Sequence, residues 1–234
     1  RFKIENCTNP TTTEPSDSFD FEIKNSNGYL VNTYSGTVRV TTTEAAQFTS
    51  SSIATSSTVA NENVTITLSF TLAHDFPGSG IIYVDYPSQV GFNVGSLSCQ
   101  CIEAGAASTT STCTCAQTTF SGESMILISN SFLSGLSASS SVELEISGFT
   151  MPSTASETNS FQVYTYTGAK GYKIDKAESG LTLQSQCDYP CLTCGKNTSV
   201  CFSCISTTAM PYKLQENSCV LECDSDKFYN SSTN

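Results

Sequence analysis

Residues 63–72 read NVTITLSFTL, in which Val64, Ile66, Leu68, Phe70 and Leu72 alternate with Thr65, Thr67, Ser69 and Thr71. A period of two puts the five apolar side chains on one face, which predicts a strand with one side in water. SVELEIS repeats the pattern, with Val142, Leu144 and Ile146 inward and Glu143 and Glu145 on the wet face. Three shorter apolar runs, GIIYVDYP, SMILIS and FQVYTY, lie between Gly, Pro, Ser or Asn, as strands between turns do. No stretch carries a helical stripe, and SFLSGLSASSS has room for a single turn. The chain is therefore expected to be all-β, an antiparallel immunoglobulin-like β-sandwich with its core between two sheets.

The pattern also recurs at long range. Residues 3–40 align with 145–183: Thr8-x-Pro10 falls on Thr150-x-Pro152, Ser18-Phe19 on Ser160-Phe161, Gly28-Tyr29 on Gly171-Tyr172, and Ser35-Gly36 on Ser179-Gly180. A spacing near 142 residues is the size of a whole domain, far above the roughly 20–50 of solenoid repeats. Residues 1–42 are thus expected to be the C-terminal half of one sandwich module and 59–185 a complete second one. Between them, residues 41–58 contain eleven Ser or Thr in eighteen. Their composition predicts an extended connector over 43–58, of the hydroxyl-rich kind that carries O-glycans. Residues 186–234 form a separate cysteine-rich module, incomplete at its C-terminal side.

Composition narrows the setting. Only 13% of the 234 residues are charged, against roughly 25% in ordinary soluble domains, and hydroxyl side chains fill the gap. A net charge of −11 argues against nucleic-acid binding, which needs a basic face to displace counterions. The longest apolar run, Gly80 to Val84, is too short to span a bilayer. Twelve cysteines in a chain of this size point to an oxidising compartment. Sequons at Asn6, Asn63, Asn197 and Asn230 agree with secretion and N-glycosylation. With no signal peptide and Arg1 in place of an initiator Met, the chain is read as a piece of a longer secreted protein.

The cysteines fall into two patterns. In CQCIEAGAASTTSTCTC, each C-x-C puts two thiols on one strand face. A single hairpin register would set Cys99 against Cys115 and Cys101 against Cys113 as two disulfides. A tetrathiolate metal site is the other reading of the same four residues. The second pattern runs C-x3-C-x2-C-x6-C-x2-C-x14-C-x3-C from Cys187 to Cys223. Its paired C-x-x-C units are also zinc-knuckle spacing. Seven cysteines share the stretch, however, and fewer than fifty residues with little apolar content need cross-links to fold. Five cysteines precede residue 116 and seven follow 186, so each part has one over. Cys7 and Cys223 are expected to be unpaired or to bond between modules.

Cys187, Cys191, Cys194, Cys201, Cys204, Cys219 and Cys223 resemble one unit of the furin-like cysteine-rich repeats of growth-factor receptors. The resemblance implies the pairs Cys187–Cys194, Cys191–Cys201 and Cys204–Cys219, with Cys223 bonding into a following unit. The wording PCLTC…CFSC is similar to that of large ciliate-type protist surface proteins. The phrases FTLAHDFPGSGIIYVDYPSQVGF and LEISGFTMPSTASETNSFQVYTY resemble β-modules beside such repeats in protist surface and mastigoneme-like ciliary-fibre proteins. The CQC…CTC segment departs from that pattern.

Catalytic groupings are sparse. His74, the one histidine, stands beside Asp75 in TLAHDFPG, but neighbours along a strand point opposite ways and no G-x-S-x-G elbow supplies a nucleophile. ECDSDKF lacks calcium-loop spacing, and the glycines of FPGSGI and YTGAKGY lack phosphate-loop spacing. Tyr164 and Tyr166 share a strand face opposite Phe161 and Val163, so one pair fills the core and the other is placed for contact. The expectation is a non-catalytic structural segment of a secreted glycoprotein, with no cofactor or metal. Its partners would be copies of itself or other surface glycoproteins, in a filament or a cell or ciliary coat. A receptor or adhesin ectodomain, with a ligand-binding β-module on a cysteine-rich stalk, is the alternative.

Overall fold

Each alternating run becomes a strand in the computed structural model, which describes residues 9–36, 38–104, 109–111, 113–120, 123–168, 171–195, 198–207 and 210–222. In chain order the first strands are β1 (Asp20–Lys24), β2 (Leu30–Ser35), β3 (Ala46–Gln47), β4 (Ser50–Thr55), β5 (Asn63–Thr71) and β6 (Ile81–Asp85). Then come β7 (Gly91–Phe92), β8 (Ser98–Ala104), β9 (Thr109–Ser111), β10 (Thr114–Phe120), β11 (Glu123–Ser129) and β12 (Ser141–Thr150). The last are β13 (Gln162–Tyr166), β14 (Lys173–Ala177), β15 (Cys191–Cys194), β16 (Cys201–Cys204), β17 (Lys213–Gln215) and β18 (Ser218–Val220). Among the described residues the helical content is one 3-10 turn, Val94–Ser96.

Two six-stranded sheets form the body. One has the order β10-β11-β6-β13-β14-β3; in the other, β4-β5-β12-β8-β9 run side by side and β7 pairs with the end of β12. Val64, Ile66, Leu68, Phe70 and Leu72 of the second sheet meet Ile82, Val84, Ile126, Ile128 and Val163 of the first in one buried cluster. Burial of each such side chain contributes roughly 1.5–3 kcal/mol. The opposite face of β5 and β12 carries Thr65, Thr67, Ser69, Glu143 and Glu145, all partly exposed, so these two acids stand in solvent. Near its end β12 slips register between Ile146 and Phe149. Gly148 absorbs the slip at φ +104°, and a side chain there would stand 3.1 Å from the Asn93 carbonyl oxygen. The slip returns Phe149 to the core, where its ring packs with those of Tyr86, Phe92 and Phe161.

The all-β sandwich is as expected, and two finer expectations are corrected. Residues 43–58 are not a bare connector: β4 pairs with β5 along six residues, and β3 joins β14. Thr and Ser suit a pleated edge strand whose outward positions face water, and Phe48 and Ile53 supply the inward anchors. The β3–β14 contact is parallel, at the margin of a sheet whose other pairings are antiparallel. Second, the 99–115 segment is not one stapled hairpin. Cys101 pairs in register with Ser111 on β9, while Cys115 lies on β10 in the other sheet, opposite Ile128. The disulfides Cys99–Cys115 and Cys101–Cys113 therefore clamp the place where the chain leaves one sheet for the other.

The cysteine-rich tail consists of two small hairpins, β15–β16 and β17–β18. Its bonds are Cys187–Cys194, Cys191–Cys201 and Cys204–Cys219. It is seated on one end of the sandwich rather than strung from it. Asn61 Nδ2 donates to the Cys194 carbonyl at 2.6 Å. The Ala155 amide donates to Leu192 O and the Cys194 amide to Ser153 O. Ala60, fully buried, packs among Cys191, Cys194 and Cys201. At the other end of the chain, β1 and β2 make a two-stranded sheet of their own.

Candidate functional site

The outer face of the first sheet differs from that of the second. Tyr83 on β6 lies in register with Tyr164 on β13, and Tyr166 with Ile81. The rings of Tyr83 and Tyr166 meet edge to face, 5.3 Å between centroids. Lys173 Nζ stands 4.1 Å over the Tyr164 ring, a cation–π contact. The Tyr164 hydroxyl donates to Gln162 Oε1, with Glu178 Oε1 3.4 Å away. Burial, and secondarily the charge of Glu178, pushes the Tyr164 hydroxyl up to about 12. Burial also raises that of Tyr166.

Lys176 completes the array. Its ammonium lies 2.8 Å from Glu178 and 3.9 Å from Glu44. The hydrogen bond to Glu178 raises the lysine's pKa, and the same bond lowers that of the glutamate. Phe161 and Val163 belong to the cluster between the sheets, whereas Tyr164, 9% exposed, and the half-buried Tyr166 lie on the other face of β13. Tyrosines braced by fixed charges offer large amphipathic area at low conformational cost, the composition of protein contact surfaces.

Beside this face opens a half-open cleft of about 590 Å³, bounded by Asp85, Tyr86, Phe92, Asn159 and Gln162 among others. It combines a carboxylate, two amides and two aromatic rings. Tyr86 OH also accepts from Gln117 Nε2 at 3.0 Å.

His74 meets a carboxylate, but it is Asp175 and not Asp75. Asp175 is fully buried. Its Oδ2 accepts from the amides of Ala73 and His74, and its Oδ1 lies 2.9 Å from His74 Nδ1. Asp75 instead accepts from the Ala138 amide. The arrangement joins the loop after β5 to β14 across the two sheets. Sequence reasoning missed Asp175 because YKIDKA, with the acid between Ile174 and Lys176, reads as an ordinary strand with charged positions in water, and no local signal ties it to His74.

The Sγ atoms of Cys191, Cys201 and Cys219 lie within 4.8 Å of one another. Each is already bonded to another sulfur, so the cluster is one cystine and half of a second, with no thiolate to ligate an ion. Asn63 is exposed at the start of β5, with its Oδ1 accepting from Thr150 Oγ1 at 3.0 Å. Cys7, Cys223 and the sequon residues Asn6, Asn197 and Asn230 lie outside the described residues. Among the described residues, no helix is long and apolar enough to cross a membrane.

No family model and no curated protein matches the chain. Among solved structures, it is similar over 56% of its length to 32% of a chain described as the N-terminal domain of the Streptococcus gordonii adhesin Sgo0707, with 12% identity and a TM-score of 0.30. The two packed sheets and the cross-linked tail define a disulfide-rich β-sandwich protein.

Proposed function

We propose that this chain is a non-catalytic structural segment of a secreted, glycosylated surface or filament protein, which assembles through β-modules stapled by disulfides. The observation that carries the reading is the placement of the five disulfides among the described residues. Two clamp the sandwich at its sheet-to-sheet crossing and three cross-link the tail internally. Cross-links of this kind persist in oxidising surroundings, and here each fixes the geometry within one module, while hydrogen bonds from Asn61 and Ala155 and the packing of Ala60 seat the tail on the sandwich. The tyrosine face is the lateral contact in this reading. Tyr189, Phe202 and Leu221, all exposed on the tail, are the contact with the next module. A glycan on Asn63 would stand clear of the tyrosine face, since β5 belongs to the other sheet.

Electron microscopy of the native material in oxidising buffer tests this. Filaments or arrays with a repeat of modular size are expected, and Tyr83→Arg combined with Tyr166→Arg should weaken lateral association at least tenfold. Discrete particles at every concentration, unaffected by that double substitution, would overturn it. The cleft beside Gln162 favours one other reading, a receptor or adhesin ectodomain. Saturable binding of a glycan or peptide, abolished by Gln162→Ala and Asn159→Ala, would support that reading instead.

A further inference from the structure

The hairpin of β1 and β2 has a twin inside the sandwich. Phe21 pairs with Tyr34, Glu22 with Thr33 and Lys24 with Leu30; Val163 pairs with Ala177, Tyr164 with Lys176 and Tyr166 with Lys173. The two sets superpose with an offset of 142 residues on the first strand (Phe19 to Phe161) and 143 on the second (Val38 to Leu181). Both slip register at the same place, just before Lys24 and just before Tyr166.

The hydrogen bonds outside the strands match as well. The Ser16 amide donates to Val40 O, the Val40 amide to Ser16 Oγ, and the Phe19 amide to Val38 O. In the sandwich the Thr158 amide donates to Leu183 O, the Leu183 amide to Thr158 Oγ1, and the Phe161 amide to Leu181 O. At the turns, the Tyr29 amide bonds to Asn25 Oδ1 and the Tyr172 amide to Thr167 Oγ1, each at 3.0 Å. The loop ahead of each hairpin even makes the same outward contact. The Thr13 amide donates to Lys173 O of the sandwich, as the equivalent Ala155 amide donates to Leu192 O of the tail.

What differs is cover. Phe161, Ile174 and Leu181 are 0–1% exposed, while their equivalents Phe19, Val31 and Val38 are 42%, 65% and 46% exposed. In the sandwich β13 is paired on its second edge by β6, whereas β1 belongs to a sheet of two strands. An apolar face and a strand edge with this hydrogen-bond pattern need a sheet neighbour and an opposing sheet.

We infer that residues 10–40 are the closing hairpin of a second β-sandwich of the same build. Phe19, Ile23, Val31, Val38, Val40 and the outer edge of β1 are then the docking surface for its remaining strands. The occupant is a polypeptide segment with the alternating pattern of residues 59–151. It lies ahead of the hairpin in the same natural chain, because in the described sandwich the covering strands precede β13. It brings a strand equivalent to β6 onto β1 and an aromatic equivalent to Phe149 onto Phe19. One polar feature is not shared: Asn32 stands where the sandwich has Asp175, and Ile23 where it has Thr165. A sandwich closed by this hairpin would therefore lack the buried carboxylate that receives His74. None of this depends on the scaffold role proposed above.

The test extends the full chain by placing a copy of residues 59–151 directly ahead of Pro10, and follows amide hydrogen exchange in oxidising buffer. Amides of residues 19–24 and 30–35 should slow by at least 100-fold, and Val31→Asp should cancel the gain without touching protection at Ile66 or Leu144. A reciprocal variant replaces residues 158–183 with 16–40, asking the same hairpin to close the described sandwich. If neither variant protects the transplanted or extended hairpin while the tail stays protected, the inference fails. It fails equally if the unextended chain protects residues 19–35 on self-association, since the occupant is then a second copy.

Discussion

The sandwich and the tail solve the same problem by different means. The sandwich buries a continuous cluster running from Phe48 to Leu183, whereas the tail's buried cluster is three half-cystines around Ala60, with Cys187, Leu214 and Cys219 at its margin. Apolar burial scales with area, and a short chain lacks that area. A cross-link acts instead by restricting the unfolded chain. The tail can consequently leave Tyr189, Phe202 and Leu221 on its surface and still hold one shape. The two regions should respond to opposite perturbations.

The sharpest separation comes from the core. Phe149→Ala removes a side chain that is 1% exposed and should cost about 4 kcal/mol. Calorimetry should show the sandwich transition falling while the tail disulfides remain intact by non-reducing mass spectrometry. Replacing Cys191 and Cys201 together by Ser should cost the tail about 3 kcal/mol. Exchange would rise at residues 191–204 while Leu68 and Leu144 stay protected; a collapse of the sandwich in this variant would break the contrast.

A smaller effect concerns the tyrosine face. Tyr164 is raised from 10.0 to about 12 in the folded chain. A raised value means that its contribution is complete below the unfolded pKa and is lost as pH climbs through the folded one. Denaturant melts should lose about 2 kcal/mol over that alkaline interval, and Tyr164→Phe should remove the loss. The smallest effect is that of the half-exposed Lys176–Glu178 pair. Glu178 is lowered by Lys176, so its contribution is present above the ordinary carboxylate range and fades as pH falls through the lowered value. Glu178→Gln should cost about 0.5 kcal/mol at neutral pH, with the difference from wild type vanishing in acid.

The all-β class and the disulfide-rich tail were legible because alternation and cysteine density are local signals. Val64 to Leu72 and Val142 to Ile146 announce their buried face residue by residue. The edge strand β4 was not legible, since a run of hydroxyls reads alike in a connector and in an outward-facing strand. Its place depends on β5 being adjacent, a contact no window of sequence contains. The same holds for the 99–115 segment, where the step from β9 to β10 changes sheets between cysteines. At the candidate site, the tyrosines of β13 could be put on one face from their spacing. Their neighbour Tyr83 and the bracing by Lys173 and Glu178 come from strand order, and the His74–Asp175 pair joins residues a hundred positions apart.

The parallel contact of β3 with β14, and of Val59 with Gln186, has a mechanical consequence. When a tether draws the two ends of this module apart, strands running in the same direction slide past each other. The bonds between them lie across the pull and share it. An antiparallel pair such as β1 and β2, pulled at its two open ends, unzips one rung at a time. Pulled by their outer ends, β3 and β14 would load their shared rungs together, whereas β1 and β2 would part in sequence.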